Sequence, residues 1–201
     1  MKIGEARKIY SAQIHEYQNQ KLDLAKRKKA LEHKMNAIPN GRELYAEEAA
    51  TLELSYHAIS DKYEEYRKYM EEIMEAYNGR LNAESAKQQG EAIEKAGEDM
   101  VKVLEVARRI AKGASVPPSD EQKLMEFSME LYLAAKNLAM MNAMKEKEEY
   151  DSLWDDEEET GEPADPLEVA EDGEISSSGA PEIVSAEDTI AAAVGTSVGT
   201  V

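Results

Sequence analysis

Apolar positions recur every seven residues from the start of the chain, at Ile3, Tyr10, Tyr17, Leu24, Leu31 and Ile38, with Ala6, Ile14 and Met35 one turn away. This spacing predicts a long helix with a single apolar stripe. "PNG" at 39–41 ends it, because proline cannot continue the hydrogen-bond ladder and Asn-Gly accepts the left-handed conformations of a tight reversal. The pattern then resumes at Tyr45, Leu52, Ile59, Tyr66 and Ile73, interleaved by Ala49, Tyr56, Tyr63, Met70 and Tyr77. A strict seven-residue repeat predicts a left-handed supercoil. If the two helices fold back on each other, facing residue numbers must have a constant total. Ile38 with Tyr45, Leu31 with Leu52, Leu24 with Ile59, Tyr17 with Tyr66 and Tyr10 with Ile73 all give 83.

A second seam follows at Ile93, Ala96, Met100, Val103, Ala107 and Ile110, and "KGASVPPSD" stops it. Ser119 with Gln122 reads as a capping box that opens a third helix, apolar at Leu124, Phe127, Leu131, Ala134, Leu138 and Met141 and ending near Lys145. Opposed antiparallel, the pairs 124/110, 127/107, 131/103, 134/100, 138/96 and 141/93 all total 234. Between the seams, "NAESAKQQGE" at 82–91 has no large apolar residue, and Gly79, Gly90 and Gly97 each cost a helix about 1 kcal/mol. Neither flanking helix reaches these positions, so the second helix is expected to run through them, from about 42 to 112 and roughly 100 Å long.

The expected fold is all-α: elongated antiparallel coiled-coil helices, two hairpins sharing one central helix, with a disordered acidic C-terminal tail. The boundaries are an N-terminal hairpin at 1–78, a weakly packed helical waist at 79–92, a second hairpin at 93–149 and the tail at 150–201. "PEIVSAEDTIAAAV" at 181–194 reads as a transient helix within that tail.

Charge sharpens this picture. Residues 145–201 hold 18 acids and two lysines, so they carry −16 of the net −18. Such an extension repels phosphates and anionic lipids, which disfavours direct nucleic-acid binding and points to a basic protein partner. Within the first hairpin, residues 1–38 carry +5 and residues 42–78 carry −6. The cluster Lys26, Arg27, Lys28 and Lys29 therefore reads as the flank of a helix facing an acidic neighbour. "MKIGEARKIY" lacks the apolar run of a signal peptide and no stretch is long enough to cross a bilayer, so the expectation is a cytoplasmic protein without membrane insertion.

Trp154, the only tryptophan, stands in "YDSLWDDEEET". Two readings apply. In one, the third helix continues and the same register sets Leu153 opposite Leu81 and Trp154 opposite Arg80. In the other, Tyr150, Leu153 and Trp154 form an apolar stripe among acids, including Asp155 and Asp156, that docks on a basic groove of another protein. Helix three also carries Met125, Met129, Met140 and Met144 outside its seam. That second apolar face suits an adaptable binding surface or a homodimer.

Reactive chemistry is not legible. His15, His33 and His57 lack the Glu-x-x-His pairing of a di-iron bundle, and no P-loop, dinucleotide-binding glycine pattern, nucleophile elbow or histidine-based zinc motif occurs. With no cysteine there are no thiolate sites, and "DDEEE" lacks the alternation and glycine of an EF-hand. The expected function is a non-enzymatic, cofactor-free structural or adaptor protein whose acidic tail and aromatic motif bind a basic protein. The alternative is an assembly factor or chaperone for a secretion, phage or envelope component, working through the Met-rich third helix.

Overall fold

The computed structural model describes residues 1–142, 148–155 and 161–197, with side chains placed as far as 195. It is mostly helical, and the described residues form no strands. The helices are α1 (Ile3–Ala37), α2 (Gly41–Leu44), α3 (Ala46–Ala111), α4 (Pro118–Phe127), α5 (Met129–Met141), α6 (Pro166–Asp172) and α7 (Ala186–Ser197). They divide into two compact units, Met1–Glu84 with Ala164–Val201, and Ser85–Pro163.

In the first unit α1 and the early part of α3 share one core of Ile3, Ala6, Tyr10, Tyr17, Leu24, Ile59, Tyr66, Tyr69, Ile73 and Tyr77. Their contacts run in antiparallel order. The Arg7 guanidinium lies over Tyr77, Tyr17 meets Tyr66 edge-on at 5.2 Å, Lys21 lies over Tyr63, and Lys28 lies over Tyr56 and pairs with Glu53. Each fully buried large side chain in this core contributes about 1.5–3 kcal/mol relative to exposure. The reversal depends on Asn40 at φ 60° and on Gly41, where a Cβ would come 2.3 Å from the Met35 carbonyl oxygen. Only glycine tolerates that approach.

The disordered tail is corrected for its described part, since residues 164–195 lie folded on α1 and α3. The Ile3 N–H donates to the Gly173 carbonyl and the Ile175 N–H to that of Met1. Asp165 caps α6 through the Leu167 N–H, and Ser185 accepts from the Asp188 N–H at the start of α7. Ala170, Gly173 and Ala186 are buried. The segment contributes few apolar side chains but many carbonyl acceptors, and composition does not register acceptors. Where a transient element at 181–194 is expected, the structure has the 12-residue α7.

The second unit departs from its expected register. Leu124, Val103, Val106, Ala107 and Ile110 are buried together, but the third helix breaks at Ser128, which is extended at φ −160°. Its hydroxyl accepts from the Leu131 N–H and starts α5 as a separate helix. The register of 234 would set Asn142 beside Ala92; instead Asn142 Nδ2 donates to the Ala111 carbonyl at 3.0 Å, so α5 folds back. Ile93 and Met100 on α3, and Phe127, Leu138 and Met141 on the third helix, are consequently exposed. The capping box is also absent. Pro117 precedes α4 without a side-chain cap, Ser119 Oγ donates to Asp120, and Gln122 bonds Glu126.

Candidate functional site

Tyrosines chosen for a helix seam do two jobs in the first unit. Their rings fill the core, and their hydroxyls reach the groove between α1 and α3, where residues 174–185 run without helix and turn at Ser178-Gly179. Tyr10 donates to the Pro181 carbonyl at 2.9 Å and Tyr69 to that of Ser176 at 3.2 Å. The Tyr66 hydroxyl donates to the Glu182 carbonyl at 2.8 Å and accepts the Val184 N–H at 3.1 Å. Tyr17 lies 2.9 Å and 3.1 Å from the carbonyls of Val184 and Ser185 and 2.6 Å from Thr189 Oγ1, so its single proton has several acceptors. Arg80 adds a bond to the Glu174 carbonyl. The groove thus holds its occupant by the main chain, through side-chain hydroxyls of two helices.

Ion pairs at the start of α1 add to the docking. Residues 161–197 contain nine acids and no basic residue, and the unit on which they lie carries +5 over residues 1–38 and −6 over residues 42–78, so the favourable charge contacts are local to its basic helix. Lys2 pairs with Asp172 at 2.9 Å and Arg7 with Glu171 at 3.4 Å. The hydrogen bond to Asp172 raises the Lys2 pKa. Burial raises those of Tyr10 and Tyr69, and pushes Tyr17 up to about 12.

The second unit contains a buried carboxylate. Asp120, fully buried in the first turn of α4, accepts from Ser119 Oγ, from Ser152 Oγ at 2.6 Å and from the Leu153 N–H at 3.1 Å. Leu153 and Trp154 are thereby held on the core of this unit. The indole Nε1 donates to Asp99 at 2.9 Å, and the Lys123 and Lys102 ammonium groups lie 4.0 Å and 5.5 Å from the ring centroid. An open cavity of about 360 Å³ beside it is lined by Lys95, Asp99, Val103, Lys123, Glu126, Phe127 and Trp154.

The aromatic motif is therefore placed as a packed segment of its own chain. Where a continued third helix would set Leu153 and Trp154 in its register, the Leu153 N–H bonds Asp120 and the Trp154 indole bonds Asp99 instead. Tyr150 lies under the Arg109 guanidinium at 4.3 Å, its N–H bonds the Ser115 carbonyl and its hydroxyl bonds Glu148. Asp155 is exposed, and Asp156 lies outside the described residues. Met125 is half-buried, Met129 and Met140 are exposed, and Met144 lies outside the described residues. Among the described residues the structure does not bring the aromatic and methionine sets into one site.

Two groups escaped the sequence reading. Tyr69 is off the seven-residue repeat, yet 4 % exposed, because the C-terminal segment covers it. Asp120 reads as an ordinary first-turn acid until Ser152 is brought to it. The signal for Asp120 was a pair of hydroxyl residues flanking Leu153 and Asp120, which no periodicity links. Among the described residues no group of three His, Asp or Glu is arranged to hold a metal ion, and no helix is long and apolar enough to cross a membrane. No family model, curated protein or solved structure matches the chain.

Proposed function

We propose that this chain is a non-enzymatic interaction protein in which paired helices, an antiparallel coiled coil in the finer reading, display an acidic surface to a basic protein partner. One observation supports it above the others. The tyrosine hydroxyls take carbonyls between Ser176 and Ser185 while Glu182 in that stretch, and Glu162, Asp165, Glu168, Glu174 and Glu187 on either side of it, are exposed. A surface of one sign steers an oppositely charged partner and makes association sensitive to salt. The test compares the full chain with a variant carrying glutamine at positions 168, 174, 182 and 187. Partner capture that falls steeply with ionic strength and is lost in the variant supports the reading. Capture that survives both changes removes it.

A second reading is favoured by a separate feature. Met129, Leu133, Leu138, Met140 and Met141 are 50–83 % exposed on α5, and a flexible methionine surface adapts to several client shapes. An assembly factor or chaperone would use that face. Methionine oxidation separates the two readings, since protection of Met129 and Met140 from peroxide in the complex assigns the client to α5, and unchanged oxidation assigns the partner to the acidic surface.

A further inference from the structure

We infer that the groove between α1 and α3 is a peptide-binding site whose occupant from outside is residues 166–195 of a second copy of this chain, taken up by reciprocal exchange. The occupant's chemistry is on display, because the chain's own segment fills the site. Recognition is mostly through main-chain atoms: Tyr10, Tyr66 and Tyr69 each donate to a carbonyl of the segment, and Tyr66 also accepts an N–H. Side-chain demands are small, with Ala186 buried and Ile190 half-buried against the core. Beyond Ile190 the groove continues as an open cavity of about 730 Å³ lined by Leu24, Leu31, Leu44 and Leu52.

Three features make a second copy the fitting occupant. It offers the same acceptors and small residues in the same order, so every contact made within one chain can be remade between two. It also offers the same ion-pair partners, Asp172 for Lys2 and Glu171 for Arg7. Finally, residues 161–165 before α6 are exposed throughout, so re-routing the chain there uncovers no core. Because exchange conserves contacts, its extent depends on protein concentration, and its rate depends on how tightly the groove holds the segment. This inference is independent of any basic partner.

The chain has no cysteine, which permits a direct test. A Cβ built on Gly4 would lie 3.2 Å from the Cβ of Glu171, close to the separation a disulfide needs. Gly4→Cys and Glu171→Cys are placed in separate copies of the full chain, mixed over a range of concentrations and oxidised. Exchange yields a covalent heterodimer linking position 4 of one copy to position 171 of the other, well above the 4–4 and 171–171 background and rising with concentration. Adding Tyr17→Phe and Tyr66→Phe to both copies should speed its appearance about tenfold and leave the final yield unchanged, because the hydroxyls hold the segment equally in both arrangements. The wild-type chain supplies a second measurement. Carbodiimide coupling of Lys2 to Asp172, which lie 2.9 Å apart, in a mixture of isotopically light and heavy protein should produce mixed-isotope crosslinks. Heterodimer no higher than background at every concentration, or Lys2–Asp172 crosslinks confined to single-isotope species, overturns the inference.

Discussion

Asp120 shows how one residue can hold a segment that periodicity leaves unassigned. It is fully buried and accepts hydrogen bonds from Ser119, Ser152 and Leu153. Asp120→Ala should cost about 2 kcal/mol, the usual scale for leaving buried donors without their acceptor. It should also shift the emission of the only tryptophan to the red, since Ser152 and Leu153 precede Trp154 directly. A denaturation midpoint and an emission spectrum check both. Unchanged emission would show that the indole is seated by Asp99 alone. Glu105 offers a pH test of the same unit. Its bond to Arg108, followed by that to Arg109, holds the carboxyl down to about 2 from 4.5. A depressed folded-state pKa means that the stabilisation is complete above 4.5 and is lost as pH falls towards 2. Glu105→Gln should therefore lose about 1 kcal/mol at neutral pH, converging with wild type at the acid end of urea titrations.

At the scale of elements, the docked C-terminal segment and the turned-back α5 follow from local competition. Ser128 offers its hydroxyl to the Leu131 N–H and so ends one helix and begins another, where the apolar pattern alone would continue. Trp154 meanwhile shares with Leu131 the core that includes Val103, the residue to which the seam assigned Leu131 alone. The register total of 234 was a correct count of apolar positions, but it had no means of weighing a cap and an indole against it. The tyrosine-held segment has its own pH signature. Tyr17 titrates near 12, above the ordinary 10.0, because burial favours the neutral phenol. A raised folded-state pKa means that the stabilisation is whole below 10.0 and disappears as pH rises through about 12. A dye attached through Ser178→Cys should lose anisotropy across that window. A flat trace would show that the hydroxyls do not hold the segment.

At the scale of the whole molecule, the two compact units carry separate optical reporters. Eight of the ten tyrosines stand in the first, and the only tryptophan stands in the second with Tyr132 and Tyr150. Deleting residues 164–201 removes the acceptors of four tyrosine hydroxyls and should destabilise the first unit by roughly 3–6 kcal/mol. Tyrosine signals should therefore melt earlier, with Trp154 emission in the native state unchanged. A shifted tryptophan spectrum would refute the division into units. Much of the first unit was legible in advance. Ile3, Tyr10, Tyr17, Leu24, Ile59, Tyr66 and Ile73, all named by the seven-residue repeat, are buried in its core. The candidate site is far less legible: Trp154 stands out as the only tryptophan, while Tyr69 lies off the repeat and Asp120 is one first-turn acid among many.

The sequence by itself determined which faces of α1 and α3 are apolar, where the chain reverses at Asn40-Gly41, and that the acids gather towards the C-terminus. These follow from neighbours a few residues apart, since helix geometry converts short spacings into faces and glycine into a tight turn. Only the tertiary structure decided that the acidic segment lies on the tyrosines, that α5 turns back, and that Trp154 belongs to its own core. Those outcomes rest on hydrogen bonds between groups 30 to 170 residues apart, such as Asn142 to Ala111, Ser152 to Asp120 and Tyr10 to Pro181. A main-chain carbonyl is present at every residue, so nothing in the order of side chains marks which ones a distant hydroxyl will select.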